Sequence, residues 1–92
     1  MSMTFSGQVV VVTGAANGIG RATAQAFAAE GLKVVVADLD SAGGEGTVAL
    51  IRTAGGEATF VRCNVTVESE VKNLMDEVIN TYGRLDYAFN NA

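Results

Sequence analysis

Between Gln8 and Phe27 the chain reads QVVVVTGAANGIGRATAQAF, four consecutive valines running into three glycines at Gly14, Gly18 and Gly20. Successive side chains of a strand point to opposite faces, so an unbroken β-branched run needs apolar cover on both sides. That requirement favours a parallel sheet with helices on its faces. Val34-Val35-Val36-Ala37 repeats the pattern about one βαβ unit later. Between the two runs, Ile19, Thr23, Ala26 and Phe27 recur at helical spacing, and Gly31 stands where a C-terminal helix cap belongs. The order is strand, glycine corner, helix, strand.

The alternation continues. A second helix is expected after Asp40-Ser41, with its first turns weakened by Gly43, Gly44 and Gly46 at about 1 kcal/mol each relative to alanine, so that Thr47 to Ala54 is its firm part. Gly55-Gly56 ends it, and Ala58 to Arg62 reads as a third strand. Val67, Val71, Leu74, Met75, Val78, Ile79 and Tyr82 form the apolar stripe of a third helix, with Thr66 as N-cap candidate and Gly83 as stop. Leu85 to Phe89 then makes a fourth strand. No repeat or linker interrupts this βαβαβαβ order, which is the pattern of a doubly wound parallel sheet in one α/β domain over residues 1–92.

Composition narrows the function. With 49% hydrophobic and 17% charged residues the chain can bury a core. A net charge of −4, with lysine only at Lys33 and Lys72, lacks the basic footprint of a nucleic-acid binder. No apolar run approaches the roughly 20 residues that span a bilayer, so no membrane association is expected. The lone Cys63 rules out an internal disulfide, and MSMTFSGQ does not read as a signal peptide, so the expected compartment is the cytoplasm. Without histidine there is no His-based triad or His-rich metal site, and no metal is expected.

At a βα corner, glycines permit positive φ and the close approach of another molecule, while the N–H groups opening the helix carry partial positive charge. A phosphate suits that place; a tight turn that merely needs glycine is the plain alternative. Position favours the phosphate, because the cluster follows the first strand, opens a helix, and is followed eighteen residues after Gly20 by Asp38 at the end of strand two. Asp38 could cap a helix or sit solvated, as Asp40 and Ser41 share that chemistry. Paired with the corner, it is a carboxylate placed to accept hydrogen bonds from an adenosine ribose and to repel a 2′-phosphate. NAD is therefore expected in preference to NADP.

Thr13-Gly14-Ala15-Ala16-Asn17-Gly18-Ile19-Gly20 resembles the T-G-x-x-x-G-x-G signature of the short-chain dehydrogenase/reductase family. Asn90-Asn91-Ala92 resembles the first three residues of its N-N-A-G motif, and Asn64-Val65 is similar to its Asp/Asn-Val pair beside adenine. The resemblance covers the whole chain and implies the Rossmann-like strand order 3-2-1-4. It also implies that Gly14, Asn17, Gly18, Ile19 and Gly20 wrap the pyrophosphate and adjoining ribose, Asp38 holds the adenosine ribose, Asn64 and Val65 border adenine, and Asn90 approaches from strand four. Asn17 is neutral where relatives that use NADP often carry Arg or Lys. Asn90 and Asn91 could equally cap a strand end.

The family reaction moves hydride between nicotinamide and an alcohol or carbonyl carbon, using a Tyr followed four residues later by Lys, and a Ser. Tyr82 and Tyr87 are followed at that distance by Asp86 and Asn91, so both read as packing residues and no catalytic residue is assigned. The resemblance implies that the Ser, the Tyr-Lys pair and the substrate loop lie beyond Ala92, on a chain whose start is complete. The expected protein is the cofactor-binding part of a homo-oligomeric oxidoreductase acting on a small alcohol or carbonyl compound. A non-catalytic nucleotide-binding or assembly module is the alternative. A methyltransferase using S-adenosylmethionine shares the corner and the acidic residue, but the Thr13–Gly20 spacing and Asn90-Asn91-Ala92 argue against it.

Overall fold

The structure, a computed structural model, describes residues 7–91. The expectations for Ala92 and for the first six residues lie outside the described residues. The elements are β1 (Val9–Thr13), α1 (Gly18–Ala29), β2 (Lys33–Asp38), α2 (Ser41–Thr53), β3 (Glu57–Arg62), α3 (Glu68–Tyr82) and β4 (Tyr87–Asn90). The strands form one parallel sheet in the order β3-β2-β1-β4. This is the Rossmann-like arrangement implied by the alternation and the resemblance.

The valine run is explained by the two layers. Val10 and Val12 of β1, with Val34 and Val36 of β2, pack on Ala24, Ala28, Val48 and Ile51 of α1 and α2. Val9, Val11, Val35 and Ala37 face the other way, onto Leu74 and Val78 of α3. Each fully buried valine contributes on the order of 1.5–3 kcal/mol, and alternation along the strands divides that gain between the two faces.

Local departures from the sequence reading have identifiable causes. The face of α1 turned to the sheet is Gly20, Ala24 and Ala28, with Phe27 half-buried; Ala26 is exposed and Ile19 is 74% exposed. The helix is rotated about one residue from the expected stripe because Gly20 passes the Gly14 carbonyl oxygen so closely that a Cβ there would overlap it. Helix α2 is regular from Ser41, since Asp40 caps it by accepting the Gly43 N–H at 3.0 Å. Gly44 lies against the Phe60 ring where a side chain would not fit, so part of the cost of the glycine-rich start is offset by packing onto β3.

The N-cap of α3 is Val67, not Thr66, whose hydroxyl donates instead to Asn64 Oδ1 at 2.6 Å in the turn after β3. Gly83 closes α3 in the left-handed conformation with φ 76°, as expected of a stop. β4 starts at Tyr87 rather than Leu85. Just ahead of it, Asp86 donates its N–H to the Val9 carbonyl at 2.9 Å while its carboxylate accepts the Val9 N–H at 2.8 Å, replacing a ladder bond by a side-chain bond.

Candidate functional site

Parallel register brings the ends of all four strands to one edge of the sheet: Thr13 lies opposite Ala37 and Asn90, and Asp38 opposite Arg62. The residues singled out in the sequence collect along that edge. A pocket of about 170 Å³ is lined by Gly14 from the corner, Asp38 and Leu39 from the end of β2, and Cys63, Asn64, Val65 and Thr66 from the turn after β3. Gly14, Asp38, Asn64 and Val65 are thus together. Asn17, Gly18 and Ile19 are exposed at the start of α1, outside this pocket. Asn90 lines a second hollow of about 270 Å³ between β4 and α3, with Thr13, and Val65 borders both.

The corner is shaped by contact with its neighbours. Gly14 has φ 65°, and a side chain there would meet the Asn91 carbonyl at the end of β4. Gly18 has φ 56° with open space where a Cβ would stand, so its glycine meets a backbone requirement rather than a packing one. Asn17 precedes α1 in extended conformation and makes no side-chain capping bond, which leaves the first N–H groups of α1 without a cap from that residue.

Asp38 is not a helix cap. Its Oδ2 accepts the Ala16 N–H at 3.1 Å and its Oδ1 accepts the Asp40 N–H at 3.0 Å. A carboxylate has about four lone-pair positions, so each oxygen keeps capacity for a further donor such as a ribose hydroxyl. Asn64 is held by its surroundings: its N–H donates to Glu70 at 2.9 Å, and its Oδ1 accepts from the Thr66 N–H at 3.0 Å as well as from the Thr66 hydroxyl. Cys63, in the pocket wall, is 2% exposed; burial first, and then the negative charge of Glu70, pushes its thiol pKa up.

Asn90 accepts the Thr13 hydroxyl proton at 2.8 Å, and Asn91 donates its N–H to the Thr13 Oγ1 at 3.1 Å. The strand-end reading of these asparagines therefore describes bonds they make. Several residues that shape the site were not singled out in the sequence. Arg21, Thr47 and Glu70 act at a distance in the chain, and nothing local in their spacing marks them; Leu39 was recoverable as the neighbour of Asp38. Among the described residues no cluster of three or more acidic, Cys or His side chains could hold a metal ion, and no helix is long and apolar enough to cross a membrane.

A parallel, doubly wound sheet with a glycine corner after its first strand and an acidic residue ending its second defines a Rossmann-like α/β protein. The family model for short chain dehydrogenase matches residues 8–92. The chain belongs to the short-chain dehydrogenase family. It is 46% identical over 88 residues to tropinone reductase-like 2 of Erythroxylum coca, an alignment covering 96% of this chain and 31% of that protein. It is 44% identical over 88 residues to 2,5-dichloro-2,5-cyclohexadiene-1,4-diol dehydrogenase of Sphingobium indicum, with 96% and 34% covered. The solved hydroxysteroid dehydrogenase of Escherichia coli superposes with a TM-score of 0.95 at 37% identity, over 98% of this chain and 38% of that one. The chain spans about a third of the length of the relatives it matches.

Proposed function

We propose that residues 1–92 are the cofactor-binding, N-terminal part of a single Rossmann domain in an oxidoreductase that moves hydride between NAD(H) and a small alcohol or carbonyl compound. In this reading NAD is preferred over NADP, the protein is a cytoplasmic homo-oligomer, and the present residues supply no catalytic acid or base. The observation that carries it is the pocket of about 170 Å³ in which Gly14, Asp38, Asn64 and Val65 meet. It fits an adenosine: a carboxylate with spare acceptor capacity on one wall, an apolar side chain on another, and a glycine beside them.

NAD, when bound, supplies the hydride acceptor. The chain's own residues would hold the rest of that molecule. Asp38 would take the adenosine ribose hydroxyls, Asn64 and Val65 would border the base, and Gly14, Asn17, Gly18, Ile19 and Gly20 would wrap the pyrophosphate, which the N–H groups opening α1 would face. Asn90 would flank the cofactor from β4. Two relatives are named as a reductase-like protein and a dehydrogenase, which supports the reaction class.

The test is titration of the purified protein with NAD and NADP. A 2′-phosphate about 5 Å from the Asp38 carboxylate is repelled by a few kcal/mol before screening, and about 1.4 kcal/mol is tenfold in affinity. NAD is expected to bind at least about tenfold tighter. Equal affinities would reject the preference for NAD, and binding of neither would reject the reading. No substrate-dependent NADH is expected from this chain, for want of an acid/base group.

A further inference from the structure

The hydroxyl of Thr47 is fully buried on α2 and reaches across to the glycine corner, donating to the Ala15 carbonyl at 2.7 Å over 32 residues of sequence. A helical threonine ordinarily returns its proton to the carbonyl four residues back. Here that carbonyl, Gly43 O, is 3.3 Å from Thr47 Oγ1 and accepts Arg21 Nη2 at 3.0 Å. Arg21 Nε donates to Thr47 Oγ1 at 2.9 Å. A hydroxyl has one proton, and with Arg21 donating to its oxygen that proton is directed to Ala15.

The Ala15 carbonyl and the Ala16 N–H belong to the same peptide group, which is trans and planar, so its two polar atoms point in opposite directions. One is held by Thr47 and the other by Asp38 Oδ2 at 3.1 Å. A rotation of this peptide would break both bonds together. Gly14 and Gly18, with φ of 65° and 56°, flank it with backbone freedom that other residues lack, so the corner needs an external hold. Gly46 belongs to the same arrangement: a Cβ there would stand 3.1 Å from Arg21 Nη2.

We propose that Thr47 and Arg21 are positioning residues for nucleotide binding, fixing the Ala15–Ala16 peptide so that its N–H aims the Asp38 carboxylate at the adenosine ribose. This rests on the nucleotide reading above. Its consequence is that Asp38 has two tasks, holding the corner as well as selecting the cofactor, and that the corner is controlled from α2.

The test is calorimetric titration with NAD and with ADP, on Thr47→Val, Thr47→Ser and Arg21→Gln, together with the ¹H–¹⁵N resonance of the Ala16 amide in ligand-free protein. Thr47→Val is expected to weaken NAD and ADP by the same factor, about tenfold, while Thr47→Ser stays within about twofold of the unmodified protein. The Ala16 amide should move in Thr47→Val and return in Thr47→Ser, a pattern that mere loss of stability does not produce. Arg21→Gln, at a half-buried position, should cost about threefold and serves if Thr47→Val does not fold. Unchanged nucleotide affinity in Thr47→Val, or in Arg21→Gln if only that variant folds, overturns this inference alone. If the unmodified protein binds neither nucleotide, the functional reading falls and this inference with it.

Discussion

The Thr13 hydroxyl donates to Asn90 Oδ1 at 2.8 Å and accepts the Asn91 N–H at 3.1 Å, joining the ends of β1 and β4 across 77 residues of sequence. One hydroxyl thereby satisfies two groups, and Gly14 is left directly beneath the Asn91 carbonyl. Replacing Thr13 by valine keeps the shape and leaves both partners without it. Asn90 is exposed and Asn91 half-buried, so the loss is the net worth of an intramolecular hydrogen bond, roughly 0.5–1.5 kcal/mol; Thr13→Val should lower stability by about that amount and Thr13→Ser by clearly less. Urea unfolding of the three proteins checks this; equal midpoints for Val and Ser would refute it.

Two glycines of the corner should respond differently to alanine. A Cβ at Gly20 overlaps the Gly14 carbonyl, so backbone must move, at roughly 1–3 kcal/mol for overpacking. At Gly18 there is open space, and the cost is only that of holding alanine at positive φ, roughly 1–2 kcal/mol. Gly20→Ala should also shift the amide resonances of Gly14 and Asn91, whereas Gly18→Ala should not. Identical spectra for the two variants would contradict the packing argument.

Asp86 predicts an acid dependence. Hydrogen bonds from Arg84 and from the Val9 N–H, and then the charge of Arg84, hold its carboxyl below the usual carboxylate range. The folded protein therefore binds this proton less readily than the unfolded chain, whose Asp titrates near about 3.9. The stabilisation is present above about pH 4 and is lost as pH falls through the lowered folded value. Asp86→Asn removes it, so the stability gap between the unmodified protein and the variant should shrink on acidification. A gap that is constant from about pH 6 to pH 3 would sink the assignment.

The fold was legible in the sequence because its strongest signals are local. Val9–Val12 and Val34–Val36 mark strands buried on both faces, and Gly31, Gly55 and Gly83 end helices with φ of 93°, 92° and 76°. In the candidate site, the meeting of Gly14, Asp38, Asn64 and Val65 in one pocket was legible because strand ends of a parallel sheet share an edge, so motif order is enough to bring them together. The rotation of α1 was not, because it is decided by one carbonyl oxygen passing Gly20. Nor were Thr47 and Arg21, whose bonds depend on where α2 lies relative to the corner. The shorter β4 has the same kind of cause, a side-chain bond from Asp86 that replaces a strand bond.

Strand β4 is the edge at which association is expected. It ends the sheet order β3-β2-β1-β4, and all four of its residues are exposed, Tyr87 by 43% and Phe89 by 40%. Register sets these two side chains on the face of Val10 and Val12, where they line an apolar hollow of about 380 Å³ with Phe27 and Leu32, and the Phe27 and Phe89 rings meet edge-on at 6.3 Å. A strand at a sheet edge is a template for another chain, and apolar surface withdrawn from water contributes roughly 25 cal/mol per Å². The chain should therefore self-associate in the micromolar range, and Phe89→Lys should shift it toward monomer while leaving its far-ultraviolet circular dichroism unchanged, since the ring is only partly covered. Sedimentation velocity over a dilution series decides it: a concentration-independent monomer for the unmodified protein means that the Phe27–Phe89 contact closes the face by itself and that β4 recruits no partner.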